Sequence, residues 1–275
     1  MSFCFFLWII MIRAERQAKI LQIIREREYV ENSELGRIFD VTLATVRRDL
    51  KDLSEQRLVR IDHGGAYLND PDAGLVEPLY ETKLFVNHEA KRAVGQAAAG
   101  LVQDGDAIIL DSGTTNRMIA RNLCGLNLRN LTVITCDIMI ASELCATADM
   151  NVIVLGGLLR KTYFSTYGPY TEAVLRNLHA SKFFLGIDGA DMERGIGNIV
   201  LEEVPVKQLQ MEISDRVILV ADSTKFGKTA PHRVCGWSQI DQVVTDPGIP
   251  PAYLNFYTAQ NIPVLCAPPC CGAKV

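Results

Sequence analysis

The sequence predicts two domains of different class: a small helical unit with a β wing over residues 11–67, and an α/β unit on a largely parallel sheet over residues 88–267. Three observations predict this. Two short helical stretches separated only by Asp40-Val41-Thr42 lie near the N-terminus. An alternating run, Leu58-Val-Arg-Ile61, and the turn Asp62-His-Gly-Gly65 follow them. Further on, seven short apolar runs alternate with helical stretches, the pattern of a parallel sheet covered on both faces.

In chain order, residues 1–10 are almost wholly apolar but too few to span a bilayer, with no basic segment or cleavage site of a signal peptide. Met11 reads as the true start, leaving 1–10 as a doubtful extension. Arg13 to Glu28 is helical with Ile20, Ile23 and Ile24 as its stripe, and Tyr29-Val30 is a short strand. Ser33 to Phe39 is a second helix with Leu35, Ile38 and Phe39 inward. The third opens on Thr42 as N-cap, with Val46, Leu50 and Leu53 on its apolar face. Thr45, Arg47, Arg48 and Lys51 face outward. Such a face is ordinary solvated surface or the recognition face of a winged helix-turn-helix, whose second helix enters the DNA major groove.

Asn69-Asp-Pro-Asp-Ala-Gly74 is turn-rich, so residues 68–87 read as the linker. A helix follows from His88 to Val102 with Ala93, Val94, Ala97, Ala98 and Leu101 inward. The strands are Ala107–Leu110, Leu131–Thr135, Val152–Leu155, Lys182–Ile187, Arg216–Ala221, Gln242–Thr245 and Pro263–Cys266. Residues 268–275 form a disordered tail.

Charge and cysteines narrow the function classes. The net charge is −4, but residues 11–66 carry 11 Lys/Arg against 10 Asp/Glu and the remainder 17 against 22. A nearly neutral unit that binds DNA must gather its cations on one face and act in more than one copy, so a dimer or larger homo-oligomer is expected. The eight cysteines include no C-x-x-C pair and no His at ligand spacing. No metal site, no cofactor and no membrane partner are expected, and the location is cytoplasmic.

Four strand ends carry chemistry, and ligands of open α/β sheets bind there. Asp111-Ser-Gly-Thr-Thr115 runs from a strand into a helix; Ser112, Gly113, Thr114 and Thr115 form either a phosphate loop or a plain N-cap. Leu155-Gly-Gly157 precedes Leu158-Leu-Arg-Lys161, a glycine turn with Lys161 nearby. Asp188 and Asp191 flank a Gly-Ala pair, and Asp222 and Lys225 close a buried strand. Together these are the groups a phosphorylated sugar requires.

Arg16, Glu34-Leu35, Thr45-Val-Arg-Arg-Asp-Leu50 and Arg60-Ile-Asp-His-Gly-Gly-Ala66 resemble the N-terminal domain of the DeoR family of bacterial sugar-catabolism repressors. Asp111–Thr115, Gly156-Gly157, Gly186-Ile-Asp-Gly189, Leu201-Glu-Glu203 with Lys207, and Ala221–Gly227 are similar to its sensor domain, so the likeness spans about Met11 to Cys266. The resemblance implies a repressor, not an enzyme, that binds operator DNA. It also implies a ribose-5-phosphate-isomerase-like sensor that binds a phosphorylated sugar as inducer. On that basis Thr42, Ala44, Thr45, Arg47, Arg48 and Lys51 meet DNA, with Arg60 and His63 on the wing. Asp49 is expected as an internal partner for a neighbouring Arg. Asp111, Ser112, Gly113, Thr114, Thr115, Gly157, Lys161, Asp188, Glu202, Lys207 and Lys225 hold the effector. Where the family often has Thr-Thr-Pro-Asn, this chain has Gly197-Asn-Ile-Val200, which puts Val200 in place of a polar residue, with Asn198 as a substitute. The rival readings are an activator, or a sugar-phosphate isomerase with Asp191 or Glu203 as general base.

Overall fold

The computed structural model describes residues 2–68, 77–145 and 150–268. Residues 69–76 of the expected linker and the expected tail from 269 on, with Cys270 and Cys271, lie outside these. The chain divides into two compact units, Met1–Val86 and Asn87–Val275.

The first unit holds α1 (Ser2–Arg27), β1 (Tyr29–Glu31), α2 (Asn32–Phe39), α3 (Leu43–Glu55), β2 (Val59–Asp62), β3 (Gly65–Leu68) and α4 (Tyr80–Phe85). Ile20, Leu21, Ile24, Val30, Leu35, Val46, Leu50, Leu53, Val59 and Ala66 form its core. β1 and β2 both pair antiparallel with β3, so the wing is a three-stranded sheet anchored beside the helices. Three expectations need correction. The first helix extends to Ser2, because its apolar N-terminal stretch contains no helix breaker. Ile38 is 46% exposed: in the eight-residue α2, Leu35 and Phe39 at i, i+4 occupy the core side and leave Ile38 on the flank. Residues 80–85, placed in the linker, are the helix α4, which packs against α1.

The second unit runs α5 (His88–Ala99), β4 (Ala107–Leu110), α6 (Thr114–Leu123), β5 (Leu131–Thr135), α7 (Ile138–Leu144), β6 (Met150–Val154), β7 (Leu158–Arg160), β8 (Ser165–Tyr167), α8 (Pro169–Leu175), β9 (Lys182–Leu185), β10 (Gly189–Asp191), β11 (Gly195–Asn198), a 3-10 turn Leu201–Glu203, α9 (Val204–Glu212), β12 (Val217–Val220), a 3-10 turn Ser223–Lys225, β13 (His232–Cys235), β14 (Gln242–Thr245), α10 (Pro251–Ala259) and β15 (Val264–Cys266). All seven expected strands are present in one sheet of order β15-β14-β12-β9-β4-β5-β6, and every pairing is parallel.

Alternation along the strands divides the core into two layers. Ile108, Leu110, Val133, Phe184, Ile218 and Val220 pack under α5, α6 and α7. Ile109, Ile134, Phe183, Leu185 and Leu219 pack toward α8, α9 and α10. The order in space reverses between β4 and β9, and at such a switch point the connections on either side diverge and leave a crevice beyond the strands' carboxyl ends. Asp111 and Gly186, which leave β4 and β9, stand at it.

Phe183 is fully buried in the second layer, so Phe183→Ala removes about 3–5 kcal/mol of stability. Urea unfolding measures this, and a loss below 1 kcal/mol would contradict the layer assignment.

Candidate functional site

The candidate DNA-contacting element is α3. Thr42 caps it, its Oγ1 accepting from the Thr45 N–H at 3.2 Å, so the helix starts at Leu43 with its N-terminus fixed. Thr42, Ala44, Arg47, Arg48 and Lys51 are exposed and Thr45 is half-buried. Among the described residues Arg47 and Arg48 make no ion pair, while Lys51 lies 3.8 Å from Glu55. Asp49 points the other way: it is buried and accepts from Arg16 Nε at 2.5 Å and Nη2 at 3.2 Å. Asp52 accepts from Gln17 Nε2 at 2.9 Å and pairs with Arg13, so α1 fixes the rotation of α3 from behind. On the wing, Arg60 lies over the Tyr67 ring at 5.4 Å. His63 is exposed at the hairpin tip, 3.3 Å from the Asp62 carboxylate.

At the switch point of the second unit Lys207, on α9, is buried and donates to Asp111 Oδ2 at 2.5 Å and to the Gly186 carbonyl at 3.1 Å. Asp111 also accepts from the Gly186 N–H at 2.9 Å and from the Ser112 N–H at 2.8 Å. Burial pulls the Lys207 pKa down, but the Asp111 and Glu203 carboxylates outweigh it and hold the ammonium above its ordinary value. Gly186 gives a close approach here: a Cβ would stand 3.2 Å from Asn116 Nδ2 and 3.3 Å from the Ser112 carbonyl, and those neighbours would have to give by a few tenths of an ångström. Beside this pair, Glu203 binds Arg160, accepts from Ser165 Oγ at 2.8 Å and accepts from Asn198 Nδ2 at 3.2 Å. Its burial pushes its pKa up, yet Lys207 and Arg160 bring it below the ordinary range, so it stays ionised and is a poor proton acceptor. Asp188 accepts from the Ile199 N–H at 3.0 Å and lies 3.8 Å from Lys225.

The loop after β4 differs in detail from the expectation. The Gly113 N–H donates to Asp137 Oδ2 at 2.9 Å and the Ser112 N–H is held by Asp111, so neither amide faces outward. Gly113 has φ 123 and gives α6 no side-chain cap. The amides opening the helix are therefore those of Thr114, Thr115 and Asn116, which have no intrahelical acceptors. The Thr114 side chain is buried; Ser112 and Thr115 are half-buried.

The other expected residues scatter. Gly157 is exposed, and a Cβ on it would run into Thr171 Oγ1 at 2.1 Å, so it serves the close approach of α8. Lys161 is exposed in the β7–β8 turn; its neighbour Arg160 is the cation that reaches the buried cluster. Glu202 is exposed and Glu203 buried. Asn198, the substitute for the residue at Val200, instead ties its own loop by donating to the Val200 carbonyl at 3.0 Å. Asp191 accepts from the Glu193 and Arg194 N–H groups at 2.9 and 2.8 Å.

Sequence reasoning missed Asn116: it is 1% exposed and neither amide atom has a hydrogen-bond partner. It also missed Asp137, which the Thr135-Cys-Asp137 strand end signalled as an N-cap. Asp137 caps α7 through the Met139 and Ile140 N–H groups.

The family description "DeoR-like helix-turn-helix domain" matches residues 16–72, and "DeoR C terminal sensor domain" matches residues 86–247. The chain belongs to the DeoR family. Among its relatives, a "Putative aga operon transcriptional repressor" of Escherichia coli O157:H7 is 34% identical over 92% of this chain and 93% of its own. The glycerol-3-phosphate regulon repressor of Escherichia coli (strain K12) is 31% identical, over 92% and 98%. The DeoR family is one of transcriptional regulators and not of enzymes. Among solved structures, ribose 5-phosphate isomerase from Plasmodium falciparum matches 50% of this chain and 52% of its own at 16% identity and a TM-score of 0.37, a likeness that carries no argument about this DeoR-family chain. Among the described residues no helix is long and apolar enough to cross a membrane, and no group of three or more His, Cys, Asp or Glu is placed to hold a metal ion.

Two outcomes follow from the buried charges. Asp111→Ala strands Lys207 and costs about 3–5 kcal/mol in urea unfolding, while Asp111→Leu with Lys207→Met regains most of that loss; equal losses in both proteins would show that the pair is not what the mutation disturbs. Burial raises Asp137 to about 6 against the N–H groups of Gly113, Ile140 and Met139 that favour its ionised form. A carboxylate raised above its unfolded value of about 4 binds its proton more tightly when folded, so its contribution is full below about pH 4 and is lost as pH rises through about 6. Carboxyl ¹³C NMR should give Asp137 a midpoint near 6; a midpoint near 4 would refute the assigned environment.

Proposed function

We propose that this chain is a repressor of carbohydrate-catabolism genes, acting in the cytoplasm as a homo-oligomer on operator DNA and released when a phosphorylated sugar fills the crevice at the β4–β9 switch point. The observation that carries the reading is the helix N-terminus at Thr114. It has no side-chain cap and carries the buried, unpartnered Asn116 side chain; Asp111, just before it, pairs with Lys207, and Asp188 lies 3.8 Å from Lys225. That combination offers amide donors to a phosphate and carboxylates to sugar hydroxyls. The names of the relatives, an aga operon repressor and a glycerol-3-phosphate regulon repressor, support carbohydrate control.

In this reading Thr42, Ala44, Thr45, Arg47, Arg48 and Lys51 meet the major groove, with Arg60 and His63 at the flanking backbone. The phosphate takes the Thr114, Thr115 and Asn116 amides and Lys225. Asp188 and Glu203 take hydroxyls, and Asp111 with Lys207 forms the floor. Release requires the sugar phosphate to bind the DNA-free state more tightly than the DNA-bound one, since equal affinities shift nothing.

Fluorescence anisotropy on the DNA upstream of its own gene, at fixed salt with nonspecific competitor, tests the reading. Specific binding should be released by one phosphorylated sugar and not by its dephosphorylated form. Arg48→Ala should weaken operator binding by about 1–3 kcal/mol. Specific binding that no sugar phosphate alters would overturn the pocket assignment; unchanged affinity in the variant would remove Arg48 from the interface.

A further inference from the structure

Asn87 is the first residue of the second unit and stands in the left-handed region, φ 53, at the N-cap of α5. Asparagine at this position ordinarily caps its own helix, accepting from the second or third amide. Here its side chain makes no such bond. It reaches instead to the loop after β12, where Nδ2 donates to Asp222 Oδ1 at 2.9 Å and to Thr224 Oγ1 at 3.0 Å, using both of its protons. Asp222 Oδ1 also accepts from the Thr224 N–H at 3.2 Å and from Thr224 Oγ1 at 2.5 Å, which closes a ring of three side chains. The next residue of the same 3-10 turn is Lys225, the cation 3.8 Å from Asp188.

We infer that Asn87 is the positioning residue that passes occupancy of the phosphosugar crevice from the Asp222–Lys225 loop to the start of the second unit, where the chain arrives from the DNA-binding unit. The inference rests on the phosphosugar reading above and adds the route by which it acts.

The physical sequence is short. Lys225 lies 3.8 Å from Asp188 and bears on the Asp222 carboxylate as well. A phosphate, with its greater charge, draws Lys225 and with it the three-residue turn. Thr224 and Asp222 cannot shift without breaking or carrying the two Asn87 bonds, and Asn87 sets the direction in which the chain enters α5. Two features bear on how firmly the present arrangement is held. Asp222 Oδ2 is buried without a hydrogen-bond partner, so the present arrangement leaves an acceptor unmet. Asn87 holds a backbone conformation that few side chains tolerate and is suited to a hinge. Lys91, one turn further along α5, is buried and bears on the same carboxylate. Burial pushes Asp222 up, but the Lys225 and Lys91 charges hold it below its ordinary range, so the anion that both lysines face persists at neutral pH.

The test uses the full chain as wild type, Asn87→Ala and Asn87→Gly. Glycine supports the left-handed backbone and removes only the side chain, which guards against misfolding. Calorimetry against glycerol 3-phosphate, ribose 5-phosphate, fructose 6-phosphate, glucosamine 6-phosphate and inorganic phosphate gives binding to the pocket, and anisotropy on the upstream DNA gives operator affinity with and without the tightest of them. In wild type the sugar phosphate should weaken operator binding at least tenfold. In both variants the sugar phosphate and the operator should each still bind within threefold of wild type, and the weakening should shrink to less than threefold. Release at full strength in Asn87→Gly would overturn the inference while leaving the pocket intact. Loss of sugar-phosphate affinity in the variants would make Asn87 a support of the pocket and overturn its coupling role. Wild type that binds none of the panel would overturn the phosphosugar reading, and this inference with it.

Discussion

The second unit depends on one buried ion pair. Asp111 leaves β4, Gly186 leaves β9 and Lys207 stands on α9, and the Asp111 carboxylate joins all three. The connections from these two paired strands diverge at that point, and there the buried carboxylate and ammonium satisfy one another. Removing one partner alone would leave the other charge buried and unpaired.

The same logic governs the first unit. In a nearly neutral unit the rotation of α3 decides which side its cations face. Val46, Leu50 and Leu53 set that rotation through packing, and Arg16 with Asp49 sets it through charge. The Asp49 carboxylate is thereby drawn away from the exposed face that carries Arg47, Arg48 and Lys51.

Much of the fold was legible because its signals are local. Seven apolar runs were read as strands and all seven form, since a strand covered on both faces admits no polar alternation. The Thr42 cap and the apolar stripe of α3 needed only neighbouring residues. The failures share a cause. Ile38 obeyed helical spacing, but a two-turn helix has room for only two core positions. Gly113 looked like an anion cradle, and Asp137, from the next strand end, takes its amide. Lys161 and Glu202 were chosen for their charge, while the adjacent Arg160 and Glu203 are the ones folded inward, a difference set by the phase of a hairpin and of a 3-10 turn.

The sequence by itself determined the two domains, the parallel sheet, the capped helix with its cationic face and the family, because each is written in periodicity or in contiguous motifs. Only the tertiary structure decided which charges face one another: that Lys207 meets Asp111 across 96 positions, that Asp137 holds Gly113, and that Asn116 lies buried without a partner. Those facts come from strand order, and strand order places residues together that no spacing along the chain relates.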